Sequence, residues 1–258
     1  MSKIFKNTVY DIKPQKINVN NTLFPNKKLD EYNIVVPPNI FQTWHTKQLP
    51  PMMFKSIQQI KKNNPRFNYF LFDDNDCREF IKNNFSQDIL NAYDSLIPGA
   101  YKADLWRYCV LYKFGGIYLD IKYIPVNGFK FINLLEQEHW PLDINKKNIY
   151  NALLICKPRN EILLKAINQI VENVKNKYYG MCYLSPTGPE LLSRFFTEDD
   201  KENFRIYHEL SGNNDFDKII KFHNYIILRC YPGYFKERDI YAKKSHYSIL
   251  WNNRNIYL

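Results

Sequence analysis

Between Ala100 and Ile124 the chain reads AYKADLWRYCVLYKFGGIYLDIKYI, and no other stretch limits the possible folds as tightly. From Tyr101 to Phe114 there is no Gly or Pro, which predicts a helix. Ala103, Leu105, Trp106, Cys109, Val110 and Phe114 spread apolar surface over more than one stripe, so that helix is predicted to be buried on most sides. Gly115 and Gly116 end it, as glycines after a helix do. Ile117, Tyr118 and Leu119 then predict a short buried strand that delivers Asp120 at its end. Asp104 and Arg107 lie three apart and share a helix face. Two readings stand for these charges. They are a structural ion pair with an acid at a strand end, or they hold a ligand, because a buried charge needs a partner.

The 258 residues suffice for one large or two small domains, and 45% hydrophobic content supports a sizeable core. The net charge of +10 suits an anionic substrate, an acidic surface or nucleic acid. The excess is spread out, however, and no nucleic-acid-binding motif accompanies it, so no nucleic-acid partner is expected. Five cysteines stand far apart without a CxxC pair, which indicates neither a disulfide framework nor a zinc site and fits a reducing compartment. The N-terminus has no apolar signal region, and no apolar run approaches the roughly 20 residues a membrane span needs. A cytoplasmic protein without a transmembrane anchor is expected. Abundant Asn, Lys, Ile and Tyr suggest an AT-rich genome, such as that of a large DNA virus, a protist or a low-GC bacterium.

Residues 1–32 carry six lysines and scattered prolines and read as a polar extension. Residues 33–258 read as one domain. Short extended runs are expected at 34–36 and 39–43, a helix opening on Pro50-Pro51 and running to Asn63, and a strand at 68–72. Asp73, Asp74 and Asp76 follow that strand. They form a metal site near a nucleotide, or one of them caps the helix that runs from Cys77 to about Asn84. A helix over 87–94 precedes the central stretch. Beyond it come a strand at 150–156 and a helix over 161–177. Thr187 either caps the next helix or marks a helix start that faces a sugar or phosphate. Residues 199–224 read as a loop or insertion, and 225–228 as the last strand. The alternation predicts an α/β sheet with helices on both sides.

The Asp104–Arg107 pair, the Gly-Gly-aromatic strand and Asp120 resemble the DXD-containing glycosyltransferases of family 32, the sugar-binding-region type. More remotely, they resemble the glucosyltransferase domains of clostridial toxins. The string VPPNIFQTWHT at 36–46 is similar to that family's opening strand, and Thr187-Gly188-Pro189 to another of its strings. The resemblance implies a GT-A fold with an irregular N-terminal arm. It implies transfer of a hexose, with retention of configuration, from a nucleoside diphosphate sugar (a UDP-sugar favoured) to a hydroxyl of a glycan, protein or lipid acceptor. By the same resemblance Asp104 and Arg107 hold the donor sugar and Asp120 serves its diphosphate end as the third catalytic residue. Gln42, Thr43 and Trp44 lie near the base. Tyr118, Asn151 and Trp251 face the donor, and His246 joins Asp120 as a metal ligand. The third DXD position is Lys122, not an acid. Either it swings aside and leaves Mn²⁺ or Mg²⁺ to Asp120 and His246, or it neutralises the diphosphate and makes the metal dispensable. A nucleotide-sugar or carbohydrate-binding pseudoenzyme is the alternative function.

Overall fold

The computed structural model describes residues 27, 31–212, 217–241 and 245–258. The expected polar extension lies outside the described residues apart from Lys27, Glu31 and Tyr32. Lys27 pairs with Glu136 at 2.8 Å, and the Tyr32 hydroxyl donates to Asn133 at 2.8 Å.

The first sheet has the order β2-β1-β3-β5. Its strands are β1 (Asn39–Thr43), β2 (Asn68–Phe72), β3 (Gly116–Leu119) and β5 (Leu153–Cys156). β1 runs parallel to both β2 and β3, and β5 is antiparallel to β3. Helices fill the connections. α1 (Pro51–Asn63) joins β1 to β2; α2 (Asp74–Asn84), α3 (Gln87–Ser95) and α4 (Gly99–Phe114) join β2 to β3; α5 (Glu161–Lys175) follows β5. Residues 34–36, expected as a strand, are not one: Val35 and Val36 both donate to the Leu135 carbonyl, and Pro37-Pro38 withhold the donors a ladder needs.

The central helix is buried as expected, with Leu105, Trp106, Tyr108 and Val110 fully covered. It packs on α5 and into the larger apolar cluster. Gly115 and Gly116 close it with positive φ of 62° and 126°. A Cβ on Gly116 would sit 2.7 Å from the Asn39 carbonyl oxygen, so β1 and β3 approach only because glycine stands there.

The segment expected as a loop or insertion is instead structured. It supplies α7 (Glu198–Glu202), β6 (Ile206–Leu210) and β7 (Lys218–Phe222), after the short α6 (Pro189–Ser193). With β4 (Tyr123–Pro125) and β8 (Tyr225–Cys230) these strands form a second, antiparallel sheet of order β4-β8-β7-β6. Charged residues hide the alternation, but Ile206 and His208 point inward, and Leu142 brackets Tyr207 by donating to the Ile206 carbonyl and accepting from the His208 N–H. A second apolar cluster joins the two sheets. The chain closes with α8 (Tyr234–Tyr241) and α9 (Tyr247–Asn252). Among the described residues no helix is long and apolar enough to cross a membrane.

Candidate active site

Asp104 and Arg107 stand on one face of α4, each only 6% exposed. Arg107 Nη2 lies 3.3 Å from Asp104 Oδ1. Asn151, in the turn before β5 rather than on the strand, holds both partners. Its Nδ2 donates to Asp104 Oδ1 at 2.8 Å, and its carbonyl accepts from Arg107 Nη1 at 2.6 Å. Thr187 Oγ1 donates to Asp104 Oδ2 at 2.7 Å. The expected cap role of Thr187 is therefore corrected: Gly188 is the N-cap of α6 without a side-chain bond, and the Thr187 hydroxyl is spent on the buried carboxylate. The Tyr108 hydroxyl accepts from Asn151 at 3.3 Å and donates to the Thr187 carbonyl at 3.1 Å, closing the ring. Sequence reading missed Tyr108, although it lies four residues after Asp104 and so shares its helix face.

Asp120 follows β3 and meets the pair from the sheet side. Its Oδ1 accepts from the Tyr118 hydroxyl at 2.8 Å and lies 3.6 Å from Arg107 Nη1; its Oδ2 is ion-paired with Lys122. The Arg107 guanidinium rests on the Tyr118 ring, 4.1 Å from its centroid. The four charges thus alternate in sign from Asp104 through Arg107 and Asp120 to Lys122. Burial pushes the Asp104 carboxyl up, against the opposing pull of Arg107 and Thr187. Burial also works to raise Asp120, but Lys122 and Arg107 outweigh it and hold that carboxyl below its ordinary range. Burial works against the Lys122 ammonium, yet Asp120 raises it above the usual lysine value, so Lys122 is charged at every physiological pH.

The remaining expected site residues divide. Gln42 is fully buried: its Oε1 accepts from the Tyr69 hydroxyl at 2.6 Å and its Nε2 donates to the Asp120 carbonyl at 3.5 Å, so it braces the Asp120 backbone. Thr43 Oγ1 is spent on the Phe72 carbonyl at 2.9 Å. Trp44 packs with Met53, Ile57, Ile121 and Tyr231, and its indole N–H is buried without a partner. Asp73 caps α2 in a capping box closed by Asp76, which resolves that acidic cluster as a helix start. Trp251 donates its indole N–H to the Tyr179 carbonyl at 2.7 Å and packs on the larger core cluster. His246 caps α9, its Nδ1 facing Ser248, and is exposed. Among the described residues no three His, Cys, Asp or Glu side chains gather as a cation site.

The Mn²⁺ or Mg²⁺ implied by the DXD resemblance does not fit these residues. Such ions take several oxygen ligands. Asp120 offers two, and a resident ammonium sits on one while the other takes the Tyr118 hydroxyl and faces a guanidinium. A divalent ion on Asp120 would meet two fixed positive charges at close range.

Residues 50–141 match a family model described as the glycosyltransferase sugar-binding region containing DXD motif. Inositol phosphoceramide mannosyltransferase 3 of Schizosaccharomyces pombe is 29% identical over 160 residues, 61% of this chain and 44% of the relative. A glycosyltransferase of Acanthamoeba polyphaga mimivirus, described as uncharacterized, is 36% identical over 89 residues, 34% of this chain and 36% of the relative. The chain spans half or less of the length of the curated relatives it matches. Among solved structures the PaToxG glycosyltransferase superposes with a TM-score of 0.50 at 19% identity, covering 64% of this chain and 69% of the other. That likeness shows the fold: a mixed α/β, GT-A-like glycosyltransferase fold in one domain.

Proposed function

We propose that this chain, whose residues 50–141 carry the sugar-binding region of the DXD glycosyltransferases, transfers a hexose from a nucleoside diphosphate sugar to a hydroxyl acceptor with retention of configuration. The observation that carries this reading is the Asp104–Arg107 pair, buried, braced by Asn151 and Thr187, and set against the end of β3. Ligands of open α/β sheets bind at that edge. A guanidinium has five N–H donors, and three of Arg107's go to Ala103, Asn151 and Asp104. The rest, with the second lone pair of Asp104 Oδ2, form a planar recognition edge for vicinal sugar hydroxyls. Buried polar groups of this kind discriminate strongly, because a sugar lacking the matching hydroxyl leaves them unpaired.

In the transfer, the bond between the anomeric carbon and the diphosphate oxygen breaks and the diphosphate leaves with the electron pair. The acceptor oxygen bonds to that carbon, and its proton passes to the departing diphosphate oxygen. Lys122 stands where negative charge grows on the leaving group. Two relatives are named as inositol phosphoceramide mannosyltransferases, which favours mannose as the hexose and a lipid or glycan as the acceptor. The five cysteines are all free thiols, which supports a reducing compartment such as the cytoplasm.

The deciding experiment is a thermal-shift screen over GDP-mannose, UDP-glucose, UDP-galactose and UDP-GlcNAc, followed by product detection and anomer assignment by NMR. A donor that binds raises the melting temperature, and the expected result is one donor that also turns over. A second reading, a nucleotide-sugar-binding protein without turnover, is favoured by Lys122 at the third DXD position. Tight donor binding with neither hydrolysis nor transfer across the panel would establish it instead.

A further inference from the structure

The second sheet brings a lysine to the same place from a part of the chain that the family match does not reach. Lys218 opens β7, which pairs with β8, and β8 pairs with β4 directly after Lys122. Tyr123 is opposite Cys230, and the Lys122 carbonyl accepts from the Tyr231 N–H at 2.9 Å. Lys218 is half-buried and, among the described residues, forms no ion pair; its Nζ has only the Phe235 ring, 5.9 Å from the centroid. Burial and the charge of Lys122 both hold its ammonium below the ordinary lysine range. Two cations therefore stand on strands that flank β8, and among the described residues one of them has no ion-paired carboxylate.

The groups around them are also left waiting. His208 is 8% exposed, its Nε2 is buried without a hydrogen-bond partner among the described residues, and its ring stacks on Tyr150 at 4.0 Å. Lys122 Nζ lies 5.8 Å from that Tyr150 ring. After burial, the charges of Lys218 and Lys122 are what depress the His208 imidazole, so the ring lies within the field of both. Tyr234 on α8 feels Lys122 and Asp120 as well. An uncompensated half-buried ammonium beside a second ammonium and an orphaned imidazole nitrogen is costly unless an anion completes it.

We propose that Lys122 and Lys218 together form a metal-independent diphosphate site, in which two ammonium groups from strands that flank β8 take the place of the divalent ion on the donor's leaving group. This rests on the donor reading above for its ligand, but the site is defined by its diphosphate chemistry alone. Lys122 keeps Asp120 paired and leans toward one phosphate, and Lys218 finds in the other the counter-charge that no described residue supplies as an ion pair. Lysine acts on such oxygens as a point charge and needs no fork geometry.

Calorimetry on the full chain tests it, with inorganic pyrophosphate, UDP and GDP as separate probes, in EDTA and in Mn²⁺. The expected result is that pyrophosphate and one nucleoside diphosphate bind in EDTA. Lys218→Met should weaken both at least about tenfold, ~1.4 kcal/mol, while Lys218→Arg keeps most of the affinity. Because Lys218→Met removes a half-buried charge that no described residue ion-pairs, its melting temperature should equal or exceed that of the parent, which separates lost binding from lost folding. Lys122→Met serves as the second variant and should weaken pyrophosphate likewise. Binding that vanishes in EDTA, returns with Mn²⁺ and ignores Lys218→Met overturns the proposal, as does failure of every probe to bind. A nucleoside diphosphate held without dependence on Lys218 overturns the site and leaves the donor reading intact. Lysine-dependent pyrophosphate binding with no nucleotide binding supports the site and removes the donor reading.

Discussion

Asp104 is the residue on which most of the site converges, since Arg107, Asn151 and Thr187 all bond its two oxygens. Its buried charge is held by these partners together, so the chemistry of a substitution decides its effect. Asp104→Asn keeps the shape but removes the charge, and it should lower donor turnover at least about tenfold, since a hydrogen bond to a charged group contributes about 1.5–3 kcal/mol. Arg107→Lys should do the same, because one ammonium cannot satisfy the Ala103 and Asn151 carbonyls and Asp104 at once. Steady-state kinetics with circular dichroism of each variant checks this. Unchanged transfer by both would remove the pair from the site, and unfolding of both would make it purely structural. Thr187→Val tests the newly found partner. Loss of its 2.7 Å bond should cost about 1–2 kcal/mol in urea denaturation and lower kcat/KM by several-fold.

At the scale of elements, the junction of α4 and β3 sets where the charges fall. α4 carries Asp104 and Arg107, and β3 carries Tyr118 and releases Asp120; the two glycines between them fix the angle of approach. Gly116→Ala should destabilise the fold by about 3 kcal/mol or more, since its Cβ meets the Asn39 carbonyl oxygen at 2.7 Å and its φ of 126° disfavours a side chain. The measurement is the urea midpoint, and an unchanged midpoint would show that β1 and β3 separate freely. This junction was legible in the sequence because the cues are local: an unbroken apolar helix, a Gly-Gly stop, a short apolar strand. The β6–β7 hairpin was not legible. Its strands mix Lys, Glu and His with Ile, and what buries them is a sheet completed by β4, about 80 residues earlier in the chain.

For the whole molecule, joining the two sheets buries imidazoles that acid must charge. Burial depresses His139 to about 4, and burial with Lys218 and Lys122 depresses His208 to about 3. In the unfolded chain both protonate near pH 6.5. Over the interval between, the unfolded state binds more protons, so stability is full above about pH 6.5 and falls as pH drops toward 4. Each histidine should contribute about 1.4 kcal/mol per pH unit within its window, or roughly 2–3 kcal/mol by pH 4. Denaturant melts from pH 7.5 to 4 should show this fall, and His139→Phe should flatten it by the share of one proton. A pH-independent stability across that range would mean that the histidines are open to water.

The sequence by itself determined the central helix, the Gly-Gly strand and the presence of Asp104, Arg107, Asp120 and Lys122 in one neighbourhood. Helical spacing and a glycine turn place those residues within a few turns of one another whatever the rest of the chain does. It also placed Asn151, but only through family resemblance. Tertiary structure alone decided which hydrogen bond each group makes. It turned Thr187 from a helix cap into a support for Asp104, and it made Gln42 a brace for the Asp120 backbone. It gave Trp251 the Tyr179 carbonyl and His246 the start of α9 as partners, and it set Lys218 and Lys122 in one sheet, on β7 and just before β4. The reason is that a side chain's partner is set by which elements meet, and two sheets joined through a shared core bring together residues nearly 100 positions apart that no local pattern connects.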